Sequence, residues 1–71
     1  MALHPQQSWL PLAGERVEIR LGKDAVDAGT VDAVTPDDGL LWLAPDGLKN
    51  RRIIDRAQGF HVWINYKWES P

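Results

Sequence analysis

Two histidines, no cysteine and four tryptophans bound the chemistry open to this 71-residue chain. A metal site would have to combine His61 with carboxylates, because His4 lies in a proline-bearing N-terminal stretch and no H-x-H or H-x-x-x-H spacing occurs. No metal and no cofactor is expected. Ser8 and Ser70 sit in the terminal segments with no base in a motif with either, which removes the usual nucleophile arrangements. The adjacent carboxylates Asp37 and Asp38 could serve acid–base chemistry. In the stretch TPDDG, however, they read as a solvated loop tip whose aspartates hydrogen-bond their own backbone. The glycines are scattered through turns, with no phosphate-cradling run. The residues therefore predict no catalytic centre and no enzyme.

The tryptophans rise above this background: Trp9, Trp42, Trp63 and Trp68 are four of the six aromatic residues. In FHVWINY, Phe60, Val62, Ile64 and Tyr66 share one parity, and His61, Trp63 and Asn65 the other. A core on the first set leaves Trp63 facing outward beside His61. Trp42 is placed the same way between Leu41 and Leu43. On neighbouring strands the two indoles would form an aromatic platform flanked by Arg51 and Arg52, suited to peptides, partner subunits or stacked bases. A second arrangement is equally open: Trp9 and Leu10 fold over these rings and make a second small core. Lys49, Arg51, Arg52 and Arg56 form the basic cluster. They read either as a strand face paired with acidic residues or as a weak, salt-sensitive phosphate contact.

The elements that must carry these side chains are strands. Residues 1–14 hold two prolines and no period, and are expected as an irregular arm, loose from Met1 to Gln7 and packed on the domain through Trp9, Leu10 and Leu12. Val17, Ile19 and Leu21 then alternate with Arg16, Glu18 and Arg20, as in a strand with one dry face. After a turn at Gly22-Lys23-Asp24, AVDAGTVDAVT is rich in β-branched residues. Its alternation slips near Gly29, which predicts a bulge there and a bent strand. Thr35–Gly39 and Ala44–Gly47 are Pro/Gly turns flanking the short strand LLWLA. At most one helical turn fits at Asp46–Asn50. RRIIDR is the fourth strand, Ala57-Gln58-Gly59 a hairpin connection, and FHVWINY the fifth strand. The expected organisation is an arm at 1–14, one β domain at 15–67 and a tail at 68–71, the domain being a five-stranded all-β barrel or sandwich.

Length and charge narrow the field further. A chain this short supports one small core, and without cysteine it lacks disulfide and thiolate–metal staples. No apolar run approaches a membrane span, the N-terminus has no signal-peptide pattern, and the absence of cysteine suits a reducing compartment. A soluble, cytoplasmic protein is the default expectation. Net charge is −2, which disfavours a dedicated nucleic-acid binder. The charge is also polarised: residues 15–47 carry three cations against eight carboxylates, and residues 48–71 five cations against two. Matching between the two halves, or a two-signed surface that favours self-association, follows.

The run from GERVEIRL through GTVDAV, PDDGLLWL, PDG and GFHVWI, about residues 14–66, resembles the SH3-like small barrels, among them KOW and Tudor-type modules. Gly29, Val31 and Val34 fall on the Gly-x-Val-x-x-Val pattern of their second strand. The resemblance implies a small barrel and, because many functions share that fold, no single activity. The expected function is a non-enzymatic interaction module that binds a protein partner or itself through Trp42, Trp63, His61, Arg51 and Arg52. The alternative is a small nucleic-acid-binding or regulatory barrel that uses the same rings with Arg51, Arg52 and Arg56. A third option, an oligomer with a catalytic pore formed on assembly as in SH3-like plasmid-borne reductases, has no residue supporting its chemistry.

Overall fold

The period-two segments do become strands. The computed structural model describes residues 3–65. It contains β1 (Leu3–Gln6), β2 (Arg16–Leu21), β3 (Asp24–Val34), β4 (Leu40–Leu43), β5 (Arg52–Asp55) and β6 (Phe60–Asn65). Single 3-10 turns lie at Leu10–Leu12 and Arg56–Gln58. The strands form one antiparallel sheet in the order β1-β6-β2-β3-β4-β5. The described residues are all-β, with six strands rather than the expected five. The sheet is open, with β1 and β5 as its edges, so the closed five-stranded barrel is not what forms. Among the described residues no helix is long and apolar enough to cross a membrane.

The extra strand comes from the arm. Leu3–Gln6 pairs with β6 in the register His4↔Ile64 and Gln6↔Val62, so the stretch expected to be loose and irregular is a strand from Leu3. Its sequence, LHPQ, has no hydrophobic alternation because the backbone ladder, not a dry face, fixes it. Tyr66, Trp68 and the expected tail at 68–71 lie outside the described residues.

Side-chain parity worked as periodicity dictates. Val17 and Ile19 of β2, Val31 of β3, Leu41 and Leu43 of β4, Ile54 of β5, and Val62 and Ile64 of β6 are buried in one cluster. Each such aliphatic side chain contributes roughly 1.5–3 kcal/mol on burial. The slip in β3 is real but is not at Gly29, which pairs regularly with Val17. The register shifts instead on either side of it, opposite Ile19/Arg20 and between Val31 and Ala33. These two irregularities let one strand serve β2 with its first part and β4 with its last. No helical turn forms at Asp46–Asn50; Asp46 and Lys49 exchange backbone hydrogen bonds in a tight reversal. The expected hairpin at Ala57–Gly59 is the second 3-10 turn. It is capped by the Asp55 carboxylate and ends on Gly59 at φ 93°, a left-handed conformation natural to glycine.

Among the described residues Trp9 is the largest in the core, only 1% exposed, and a polar clasp holds it there. Asp38 Oδ1 accepts the N–H groups of both Trp9 and Leu10 at 2.7 Å. Asp38 Oδ2 accepts Arg56 Nη2 at 2.9 Å. Arg56 also donates to the Asp38 and Gln7 carbonyls and lies over the Trp9 indole, 4.2 Å from the ring centroid. The expectation of a solvated, self-bonded aspartate pair therefore holds only for Asp37. Its carboxylate takes the Thr35 hydroxyl and the Gly39 N–H, contacts that hold it below the usual carboxylate range, the hydroxyl contributing most. Asp38 sits at φ 65°, which aims its side chain across the fold at the arm.

Candidate interaction face

Cross-strand register decides which outward side chains meet. On β6, Trp63 is opposite Pro5 of β1 and Glu18 of β2, and His61 is opposite Arg20. The Arg20 guanidinium lies over the Trp63 ring, 4.2 Å from its centroid, and its Nε donates to the Glu18 carboxylate. Trp63 is half-buried and His61 is exposed. On the other half of the sheet, Trp42 of β4 is opposite Ala33 of β3 and Ile53 of β5. Arg51 lies over the Trp42 ring at 4.2 Å, and its Nε donates to Asp32 at 2.8 Å. Both indoles thus face away from the core as parity required. Each has one ring face engaged by a cation, an arrangement worth about 0.5–1 kcal/mol at exposed positions.

The two rings do not form one platform. Between β6 and β4 lie β2 and β3, a lateral spacing of roughly 14 Å at about 4.8 Å per strand. The register also sets Trp63 level with Ala28 but Trp42 level with Ala33 further along β3. The arm does not cover them either: Trp9 enters the main core, and Leu10 remains exposed. The sequence-predicted site residues therefore split three ways. Trp63 and His61 occupy one outer patch, Trp42 and Arg51 another, and Arg52 neither.

Arg52 shares the parity of buried Ile54 and is paired with Leu43, on the face opposite Trp42. Its guanidinium grips Asp27 with Nε to Oδ2 at 2.9 Å and Nη2 to Oδ1 at 3.0 Å. It also donates to the carbonyls of Ala28, Ala44 and Asn50. Gly29 makes room for it, since a Cβ there would come within 3.3 Å of Arg52 Nη2. The pair shifts both groups: the Arg52 hydrogen bonds hold Asp27 below the usual carboxylate range against an opposing burial effect, and Asp27 raises Arg52. Arg52 joins β5 to β3 and is a structural residue.

Charge matching between the two halves of the chain is literal. Lys49 and Arg52 pair with Asp27, Arg51 with Asp32, and Arg56 with Asp38. Every member of the basic cluster is thus ion-paired to a carboxylate of the acidic half. His4 shares the core-side parity of Ile64, whereas His61 is on the outer face. Among the described residues no three of His, Cys, Asp or Glu come together in a group able to hold a metal ion.

Two participants were missed in the sequence, Ile53 and Arg20. Ile53 is 48% exposed beside Trp42. The signal was present, because adjacent isoleucines in a strand cannot both face the core. Arg20 was legible as outward but not as the partner of Trp63, since that contact depends on β6 pairing with β2. Comparisons with protein-family models, with curated proteins and with solved structures yield no match for this chain.

Proposed function

We propose that this chain is a non-enzymatic interaction module that binds polypeptide through the outer face of β4 and β5, with Trp42, Arg51 and Ile53 as the contact residues. The observation that carries the reading is Ile53, an exposed branched aliphatic opposite Trp42 on a strand that, among the described residues, has no neighbour on its far side. Indoles and guanidinium groups dominate the energetics of protein interfaces because they bury a large surface while keeping one polar handle. An unpaired edge adds a row of backbone donors and acceptors. The nucleic-acid alternative has less support, because each cation it needs sits beside a carboxylate that repels an incoming phosphate. The long bent β3 and the acidic turn before a short β4 favour the SH3-like resemblance, and the open six-stranded sheet departs from it. A cysteine-free chain suits a cytoplasmic setting.

The test is a display library of random peptides panned on the wild-type chain and counter-panned on Trp42→Ala. Selected peptides should shift the amide resonances of residues 40–43 and 51–55, and binding should weaken at least tenfold in the variant. Binding that ignores Trp42→Ala would refute the reading, as would peptide-free binding of short single-stranded oligonucleotides at the same amides.

A further inference from the structure

The β5 edge has a built-in directionality. Arg56 N–H donates to Gly39 O, continuing the β4–β5 register in which Ile54 is opposite Leu41 and Arg52 opposite Leu43. In an antiparallel ladder bonded residues alternate, so Arg52, Ile54 and Arg56 bond inward to β4. The backbone groups of Arg51, Ile53 and Asp55 therefore point away from the sheet. These same three residues share the outer face with Trp42. Along the edge the pattern is cation, branched aliphatic, carboxylate.

That pattern is its own antiparallel complement. We infer that the occupant of the β5 edge is a second copy of this chain, paired antiparallel about a two-fold axis through Ile53. The inference rests on the polypeptide-binding reading and names the polypeptide. In this register Ile53 faces Ile53 of the second copy, and Arg51 of each copy faces Asp55 of the other. Arg51 commits only its Nε to Asp32, leaving the terminal amino groups to reach across. Asp55 commits Oδ1 to the Ala57 N–H, leaving Oδ2. The two Trp42 rings then flank a continuous stripe of apolar side chains on one face. Shifting the register by two residues sets Ile53 against a charged residue, so the symmetric register is favoured. The other edge does not propagate the assembly. Pro5, turned outward between His4 and Gln6, which are opposite Ile64 and Val62, has no N–H to give, so the assembly closes as a dimer.

The test is sedimentation velocity from micromolar to millimolar protein, with folding of each variant checked by circular dichroism. The wild-type chain should move from 8.0 kDa toward twice that mass. Arg51→Glu leaves the edge acidic at both ends, and Asp55→Lys leaves it basic at both; each alone should be monomeric throughout. An equimolar mixture of the two should associate again, because each charged end then meets its opposite. Ile53→Pro removes one outward N–H without touching the inward ladder and should also be monomeric, which keeps the test open if Asp55→Lys fails to fold for want of its cap. A wild-type chain monomeric at millimolar concentration overturns the inference, and so does a dimer indifferent to the charge swaps. If that monomer still binds library-selected peptides through Trp42, the polypeptide-binding reading stands without self-pairing. If it binds none, both fall.

Discussion

Replacing Asp38 tests whether a surface turn holds the largest core residue in place. The carboxylate accepts two backbone N–H groups at 2.7 Å and one guanidinium at 2.9 Å. A hydrogen bond to a charged group contributes about 1.5–3 kcal/mol when shielded, and less where water can substitute. The Asp38 side chain is 28% exposed and the Leu10 N–H is open to solvent, so only the Trp9 N–H would be left without a ready partner. The loss on removing the carboxylate is therefore about 3 kcal/mol. A residue at φ 65° adds a backbone cost that glycine avoids, of about 1 kcal/mol. Asp38→Gly should thus cost about 2–3 kcal/mol and Asp38→Ala about 1 kcal/mol more. Asp38→Asn, which keeps one acceptor oxygen, should cost about 1–2 kcal/mol. A chain of 71 residues has a total stability of roughly 4–10 kcal/mol, so all three losses are readable in urea unfolding followed by tryptophan fluorescence. Amide exchange at Trp9 should accelerate in the same order. If Asp38→Gly stays within about 0.5 kcal/mol of wild type, the clasp does not hold the arm.

Two further outcomes follow from the packing and the charge pairs. Asp27, with a side chain 18% exposed, is held below its unfolded value by Arg52. Its stabilisation is complete above the unfolded carboxylate range and is lost as pH falls through the lower folded value. Asp27→Asn should therefore cost about 1–3 kcal/mol at neutral pH and flatten the decline of stability toward pH 2; equal acid slopes in the two proteins would count against the pair. Trp9→Ala should cost about 3–5 kcal/mol and Trp63→Ala about 1 kcal/mol, because one indole is sealed in the core and the other is half-buried on the outer face. The reverse ranking in urea midpoints would contradict that placement.

What the sequence made legible was local. Alternation placed Val17, Ile19, Val62 and Ile64 inside and Trp63 outside, because strand parity follows from backbone geometry alone. Neighbourhood was not legible. Trp42 and Trp63 have matching parity, yet β6 pairs with β2, far from β4, and no residue count reveals that. The roles of the aspartates were hidden for a similar reason. Asp37 and Asp38 look alike in a Pro/Gly turn, and only the left-handed backbone at Asp38 points one of them at a segment 28 and 29 residues away. Arg52 looked like a surface cation beside Arg51. Its side chain falls on the inner parity, where Asp27 and a glycine had made space for it.

The position of β6 carries a consequence for how the chain reaches its native state. The strand latest in sequence is wedged between the two earliest, so β1 touches nothing it can pair with, and β2 lacks one flank, until β6 arrives. Closing those long loops costs chain entropy before any reward is returned. Assembly from the first strand onward as synthesis proceeds is thus closed to this protein: β2 to β5 can collapse early, and the N-terminal segment waits for its keystone.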